Sequence, residues 1–241
     1  MANPTLVLIP GLLCDATAWT QATADLEQTV TVYVAEHGLR SSLVTMAQAI
    51  VKQVPGPLLL AGHSMGGRIA LEAFRLAPQR VRGMALLDSG CRPLPAGPAG
   101  EQERAGRLKM LELARKEGMR AMAREWLKGM VYLPRLKDAT LTDTVVEMFA
   151  RRSPDYLAAQ VQALLRRPDA SALLGQIRCP TLILCGQQDR TAPPAQHRAM
   201  HGEIAGSRFV TVSQCGHMAP LEKPAVVRGA LKSWVDSALA A

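Results

Sequence analysis

One serine of the chain lies in a pattern that is typical of a nucleophile. Ser64 is the central residue of Gly62-His63-Ser64-Met65-Gly66, which fits G-x-S-x-G. The apolar run at residues 58–61 predicts a buried strand before it, and the apolar spacing at residues 69–74 predicts a helix after it. Such a strand-to-helix turn exposes the serine hydroxyl, and only small neighbours clear it. The five-residue pattern also occurs by chance, so its flanking elements make Ser64 the candidate nucleophile.

Two further residues could activate this serine. Asp189 follows a predicted strand at residues 180–185, and His217 follows another at residues 208–212. A serine hydroxyl attacks poorly unless a base takes its proton, and histidine can accept that proton and return it to a leaving group. A carboxylate would orient the imidazole and offset the charge that develops on it. All three residues follow predicted strands, where open parallel sheets form their active sites.

A second carboxylate competes for the role of the acid. Asp88 ends the predicted strand at residues 81–87, and some hydrolases take their acid from that position. We prefer Asp189 because it follows the next strand in a Gly-x-x-Asp turn and keeps the chain order Ser, Asp, His. We interpret His63 as packing behind the nucleophile, with its side chain directed away from Ser64. The remaining histidines lie in polar surroundings, and we expect them to be exposed: His37, His197 and His201.

The elements that must position these residues alternate between strands and helices. Beyond the strands already named, the pattern predicts strands at residues 5–9 and 29–34, and helices at 19–26, 194–201 and 224–238. Another helix follows Ser41, which we expect to cap it. The alternation predicts an α/β fold, with a mostly parallel sheet and helices on both faces.

One long segment interrupts this alternation. Residues 100–167 are helical in pattern and rich in charge, with helices expected at residues 101–116, 119–130, 142–151 and 154–165. We therefore predict a core domain made of residues 1–98 and 171–241, and a helical lid, or cap, inserted at residues 99–170. The methionines of this segment are expected to be core or an adaptable apolar wall over a pocket.

Composition bounds the remaining possibilities. The chain of 241 residues is 48% hydrophobic, which fits one α/β domain with an insertion. Its five cysteines are irregularly spaced without C-x-x-C, so we expect neither disulfides nor a zinc site. No run approaches the ~18 apolar residues of a membrane helix, and the apolar N-terminus lacks a basic region, so we expect a cytoplasmic location. The net charge is +8, but the basic residues are interleaved with acidic ones, which favours a solvated surface over a nucleic-acid site.

Four motifs, in order along the chain, resemble those of a known family. They are Pro10-Gly11-Leu12, Gly62-His63-Ser64-Met65-Gly66-Gly67, Gly186-Gln187-Gln188-Asp189 and Gly216-His217-Met218-Ala219-Pro220-Leu221-Glu222-Lys223-Pro224. Together they resemble the α/β-hydrolase superfamily, in its carboxylesterase, haloperoxidase-like and C–C hydrolase branch. Each motif is weak alone, and the lid is the most variable part of the resemblance.

The resemblance implies an α/β-hydrolase fold and a catalytic triad of Ser64, Asp189 and His217. It also implies an oxyanion hole made by the backbone N–H groups of Leu12 and Met65. Many relatives have His-Gly where this chain has Pro-Gly at residues 10–11. This difference does not remove the expected oxyanion donor, because that donor is a backbone N–H group.

These expectations lead to a serine hydrolase that cleaves a small-molecule carboxylic ester through an acyl-enzyme. We expect no cofactor and no metal, because no phosphate loop or metal-ligand pattern is present. Hydrolysis of an amide, a carbamate or a C–C bond, and perhydrolysis, would use the same triad, and a ligand receptor on this fold is the non-enzyme alternative. The oligomeric state stays open.

Part of the basic charge lies in the predicted lid. Arg120, Arg124 and Lys128 fall at i, i+4 and i+8, along one side of a predicted helix. The simplest interpretation is a solvated helical surface. The alternative is a basic face that steers an acidic carrier protein to the pocket, for which family members that act on acyl carrier protein esters are a precedent.

Overall fold

The strands form one parallel sheet. In the computed structural model, which describes residues 3–241, the strands are β1 (Thr5–Ile9), β2 (Thr31–Val34), β3 (Leu58–His63), β4 (Val81–Leu87), β5 (Thr181–Gly186) and β6 (Arg208–Val212). Their order is β2-β1-β3-β4-β5-β6, and every neighbouring pair is parallel. The carboxyl ends of all these strands therefore meet at one edge of the sheet.

The helices connect these strands and cover the sheet. They are α1 (Leu43–Gln53), α2 (Met65–Leu76), α3 (Pro98–Glu117), α4 (Met119–Met130), α5 (Ala139–Ala150), α6 (Pro154–Leu165), α7 (Ser171–Leu174), α8 (Pro194–Glu203), α9 (Ala219–Glu222) and α10 (Pro224–Ala240). Most predicted helices are present, and the bounds predicted for α4 and α6 agree with the structure.

The helix predicted at residues 19–26 is wrong. That segment holds turns between two short 3-10 helices, Ala16–Ala18 and Leu26–Gln28. Two threonine hydroxyls bond to backbone carbonyls there, and Asp25 has a left-handed backbone with φ 75°, which ends any helix. The cap prediction is also wrong, because α1 follows Ser42, whose side chain makes no capping hydrogen bond.

The strand before Ser64 lies in the protected centre of the sheet. All six residues of β3 are buried, whereas the edge strands β2 and β6 are partly exposed. A strand with neighbours on both sides and helices on both faces needs apolar side chains throughout, which explains the run Leu58-Leu59-Leu60. The turn that carries Ser64 is therefore anchored in the centre of the core.

The order of the strands opens a crevice at the carboxyl edge. From β1 the chain moves outward to β2 and then returns to form β3 on the other side of β1. Loops after β1 and β3 therefore leave in different directions, and such a switch point is where open α/β sheets bind ligands. Leu12 follows β1 and Ser64 follows β3, so both lie at this point.

Helices α3 to α6 lie between β4 and β5 in the chain, where the sequence predicts the lid. Met119, Met122 and Met130 of α4 are buried, as expected for an apolar helix face. None of the helices in residues 3–241 is both long and apolar enough to cross a bilayer.

Candidate active site

The turn at Ser64 has a strained backbone. Ser64 has φ 54° and ψ −116°, outside the regions that residues with a Cβ normally occupy. Two hydrogen bonds hold this conformation: its N–H donates to the Leu87 carbonyl at 2.8 Å, and its own carbonyl accepts from the Ser89 hydroxyl at 2.7 Å. Residues from β4 and the loop that follows it therefore fix the geometry that presents the Ser64 hydroxyl.

Close contacts require the glycines around Ser64. A Cβ on Gly62 would lie 2.3 Å from the carbonyl oxygen of Gly66. A Cβ on Gly66 would lie 1.9 Å from the carbonyl oxygen of Ile9, and one on Gly67 would lie 2.4 Å from the Ser89 hydroxyl. Only glycine lets the first turn of α2 approach β1 and β3 this closely.

Ser64, His217 and Asp189 form a continuous chain of hydrogen bonds. The Ser64 Oγ lies 2.7 Å from His217 Nε2, and His217 Nδ1 lies 2.7 Å from Asp189 Oδ2. The second carboxylate oxygen of Asp189 accepts the backbone N–H groups of Thr191 and Ala192 at 2.7 and 2.9 Å. His217 and Asp189 are buried, whereas Ser64 is partly exposed. This arrangement can move a proton from the hydroxyl to the imidazole and stabilise the charge that results.

Asp88, the rival acid, bonds to different groups. One of its carboxylate oxygens accepts the N–H of Gly186 at 2.9 Å and the other accepts the N–H of Ala219 at 3.1 Å. Burial and the nearby charge of Asp189 raise the pKa of Asp88 well above its usual range. Asp88 thus links the end of β5 to the start of α9, while Asp189 contacts the imidazole of His217.

His63 packs behind the triad. Its Nε2 lies 2.8 Å from the backbone carbonyl oxygen of His217, and the two rings are 5.6 Å apart. Burial lowers the pKa of His63 to about 4, with a further contribution from His217. A neutral His63 that donates from Nε2 supports the loop that carries His217.

The expectation that His37, His197 and His201 are exposed is wrong. His37 and His197 are buried, and His201 is partly buried against the Ser207 hydroxyl. His37 Nε2 lies 3.1 Å from the Pro10 carbonyl oxygen, and His197 Nε2 accepts the N–H of Ser89 at 2.8 Å. Both rings bond to backbone groups of loops beside the site. These rings supply the hydrogen-bond partners that a neighbouring strand supplies within the sheet.

The two expected oxyanion donors border the same cavity as the triad. Leu12 and Met65 line that cavity together with Ser64 and His217. A Cβ on Gly11 would lie 3.2 Å from the Cβ of Ser64, so the loop after β1 lies directly against Ser64. The loops that carry Leu12 and Met65 therefore both border the Ser64 side of the cavity.

Gln160, a residue of α6 that the sequence analysis missed, forms a hydrogen bond with the loop after β1. Leu13 has a left-handed backbone with φ 61°, and its N–H donates to the Gln160 side chain at 2.8 Å. Gln160 lies on α6 and is fully buried. A glutamine among the apolar residues of a predicted helix is the sequence pattern that could have indicated this role.

The loop that carries His217 is held by a second missed residue, Glu222. One carboxylate oxygen of Glu222 accepts the N–H groups of Gly216 and Met218 at 3.0 and 3.1 Å, and the other accepts the N–H of Tyr132 at 2.9 Å. Glu222 is buried, and burial raises its pKa. A single acidic residue after the apolar stretch 218–221 is the pattern that could have marked it.

A cavity of about 1070 Å³ opens above Ser64. Apolar side chains from the sheet loops and from the inserted helices form much of its wall: Leu12, Met65, Met110, Trp126, Met130 and Leu164. Its volume fits a small organic substrate, and apolar walls with a few polar groups are typical of such sites.

Comparisons with known proteins agree with this fold. The sequence model of the alpha/beta hydrolase family matches residues 6–230. A thermophilic esterase from Thermogutta terrifontis superposes with a TM-score of 0.84 at 26% identity, over 98% of this chain and 91% of the esterase. The predicted α/β-hydrolase fold is therefore confirmed.

Two curated relatives carry different names. Pimeloyl-[acyl-carrier protein] methyl ester esterase of Neisseria meningitidis serogroup C is 26% identical over 171 residues, which are 71% of this chain and 66% of that protein. A 2-hydroxy-6-oxononadienedioate/2-hydroxy-6-oxononatrienedioate hydrolase of Cupriavidus pinatubonensis is 30% identical over 175 residues, 68% of this chain and 56% of that protein. Each alignment thus spans less than two thirds of the relative. From the family match, which covers most of its length, this chain belongs to the alpha/beta hydrolase family.

Proposed function

We propose that this protein is a serine hydrolase that cleaves a carboxylic ester through an acyl-enzyme. The observation that carries the proposal is the chain of two 2.7 Å hydrogen bonds from Ser64 through His217 to Asp189. The strained turn at Ser64 and the cavity above it support the same chemistry.

The reaction follows from the positions of these groups. His217 Nε2 accepts the Ser64 proton while Oγ attacks the ester carbonyl, and the N–H groups of Leu12 and Met65 bind the resulting oxyanion. When the C–O bond to the alcohol breaks, His217 gives its proton to the departing oxygen. A water molecule then attacks the acyl-enzyme, with His217 again as the base, and releases the carboxylic acid and Ser64. Asp189 holds the imidazole in the tautomer that both the formation and the hydrolysis of the acyl-enzyme require.

We assign residues 99–170 the role of a cap over the site. Met110, Trp126 and Met130 come from this segment and line the cavity. The Met130 carbonyl accepts the backbone N–H of His217 at 2.6 Å, and Gln160 accepts the N–H of Leu13. The cap therefore contacts the loop that carries His217 and the loop after β1, and it also borders the substrate pocket.

A thioester-linked or protein-bound ester is one substrate class within this proposal. The relative from Neisseria meningitidis is named for a methyl ester on an acyl carrier protein, and an acidic carrier is the partner that a basic face on the lid would steer. On α4, however, Arg120 pairs with Glu147 and Lys128 pairs with Glu125, which leaves Arg124 exposed between them. These pairs reduce the charge available for steering, so we place a small-molecule ester first and a carrier-bound ester second.

Cleavage of a carbon–carbon bond is a second candidate, favoured by the name of the Cupriavidus relative. The same serine, histidine and aspartate would act on a ketone carbonyl instead of an ester. A substrate panel distinguishes the candidates: methyl and ethyl esters of varied acyl length, the matched amides and carbamates, and 2-hydroxy-6-oxononadienedioate.

The decisive experiment labels the nucleophile. A fluorophosphonate probe should label the wild-type protein at Ser64, and Ser64→Ala should abolish labelling and lower ester turnover by several orders of magnitude. Ser41→Ala, which removes an exposed hydroxyl far in sequence from Ser64, Asp189 and His217, is the matched control and should label normally. If Ser64→Ala, freed of contaminating hydrolases, retained most of the esterase activity, the proposed function would be wrong.

A further inference from the structure

The cavity above Ser64 has a cluster of guanidinium groups that the proposed mechanism does not use. Arg68 lies on α2, Arg107 on α3 and Arg167 just after α6, and all three line the cavity. Arg68 Nη1 donates to the Arg92 carbonyl at 2.7 Å, and Arg167 Nε donates to the same oxygen at 3.3 Å. Guanidinium groups from the core and from the inserted segment thus converge on one point of the wall.

One carboxylate is paired with this cluster. The Glu103 carboxylate binds Arg167 through two nitrogen atoms at 2.7 and 2.8 Å, and it also binds Arg107 Nη2 at 2.8 Å. Burial alone would raise the pKa of Glu103, but the hydrogen bonds and charges of both arginines hold it at about 2. Glu103 is therefore ionised and balances one of the three positive charges.

Arg68 is the member of this three-arginine cluster that has no counterion. Within residues 3–241 it makes no ion pair, although it is partly buried. Burial and the charge of Arg167 lower its pKa to about 10, which still leaves it charged at neutral pH. The other lining charges are Arg92, Glu203 and Asp88, and Asp88 is committed to two backbone N–H groups. A like-charged pair of guanidinium groups in a partly desolvated wall is unfavourable unless an anion offsets it.

We propose that Arg68, with Arg167 and Arg107 beside it, binds an anionic group of the substrate, a carboxylate or a phosphate, while the scissile bond lies at Ser64. This inference rests on the proposed ester hydrolysis and defines its substrate class. The planar guanidinium binds either anion through two hydrogen bonds. Arg68 follows Ser64 by four residues, a backbone rise of about 6 Å along α2, and both residues line the same cavity.

The test compares esters that differ in their far end. Methyl hexanoate is the neutral substrate, monomethyl adipate carries a carboxylate, and the phosphate ester of methyl ω-hydroxyhexanoate carries a phosphate. We expect kcat/KM for at least one anionic ester to exceed that of methyl hexanoate by about tenfold or more, as for a charge-assisted contact. The stronger of the two anionic substrates identifies the natural anion.

The variants are Arg68→Gln and the matched control Arg82→Gln. Arg82 is an exposed arginine near the start of β4, at the opposite end of the strands from Ser64. Arg68→Gln should lower the ratio of anionic to neutral kcat/KM about tenfold, and Arg82→Gln should preserve it. Arg68→Lys, which keeps the charge without the planar fork, should retain part of the preference and serves if Arg68→Gln does not fold.

Binding measured without turnover separates this inference from the proposed function. Calorimetry with adipate on Ser64→Ala should show binding that weakens about tenfold in Ser64→Ala/Arg68→Gln. If no ester is hydrolysed and Ser64 is not labelled, the proposed function fails, while adipate binding through Arg68 would still support the anion site. The anion site is wrong if kcat/KM for methyl hexanoate equals that for both anionic esters. It is also wrong if Arg68→Gln and Arg82→Gln give the same ratio of anionic to neutral kcat/KM.

Discussion

His217 donates its backbone N–H to the carbonyl oxygen of Met130 at 2.6 Å, so the proposed base is bonded to the end of a helix in the inserted segment. Glu222 strengthens this connection, because its carboxylate accepts N–H groups on both sides of His217 and also that of Tyr132. The position of the imidazole thus depends on the end of α4 as well as on the strand that precedes it.

Glu222 is therefore expected to act as a positioning residue. Glu222→Gln replaces one acceptor oxygen with an N–H donor, which opposes one of the three N–H groups that Glu222 now binds. We expect kcat to fall by about 10- to 100-fold with little change in KM, because the base is misplaced while the pocket is retained, as for supporting residues of other sites. Fluorophosphonate labelling of Ser64 should slow in parallel.

The control for this variant is Glu117→Gln, which changes an exposed carboxylate at the end of α3. It should leave kcat and the labelling rate unchanged. A Glu222→Gln protein with normal kcat and a lowered melting temperature would assign Glu222 a structural role alone.

The two buried aspartates should differ sharply in their effect on turnover. Asp189→Asn keeps the shape of the side chain but removes the charge that holds the His217 tautomer, and we expect kcat to fall by about 10⁴, as in serine proteases. Asp88→Asn should cost far less, because Asp88 contacts backbone N–H groups and not the His217 ring. Steady-state ester kinetics of the two variants check this prediction, and the opposite ranking would move the acid to the end of β4.

His63 should make the fold sensitive to acid. The unfolded state binds a proton on this histidine below pH about 6.5, whereas the folded state does so only below about 4, because burial lowers its pKa. The unfolded state therefore gains protons first, and stability falls as the pH is lowered from about 6.5 to 4, by about 3 kcal/mol at most.

Denaturant unfolding of the wild type and His63→Asn across this pH range tests the effect. The variant should show a shallower loss of stability, and the part that remains includes His37 and His197, whose pKa values burial also lowers, and Glu103, whose pKa its arginine partners lower. Equal slopes for the two proteins would show that His63 is not the group that titrates.

Gly66 is expected to be intolerant of any side chain. In Gly66→Ala the new methyl group would meet the Ile9 carbonyl oxygen at 1.9 Å, so α2 must move away from β1. We expect destabilisation of about 3 kcal/mol or more, since overpacking against backbone cannot be relieved by a rotamer change. Gly229→Ala is the control, because this exposed glycine of α10 has no atom within 4 Å of the added Cβ and should gain about 0.5–1 kcal/mol. Chemical denaturation of both variants measures the difference, and a stable Gly66→Ala would contradict the packing described for the turn.

The sequence alone determined the features that depend on local pattern. The run of leucines in β3, the glycines around Ser64 and the alternation of strands and helices indicated the fold and the strand-to-helix turn at Ser64, because periodicity and steric limits act over a few residues. The bounds of α4 and α6 were predictable for the same reason, since glycine or proline stands where each helix begins.

Only the tertiary structure decided which distant groups support the site. His37 and His197 looked polar and exposed, yet both are buried because backbone groups of neighbouring loops need their ring nitrogens as partners. The local patterns at Gln160 and Glu222 could not identify their partners, which, apart from the loop beside Glu222, lie at least 90 residues away in the chain. The convergence of Arg68 and Arg167 on one carbonyl likewise depends on how the inserted helices pack over the sheet, which no spacing within the sequence encodes.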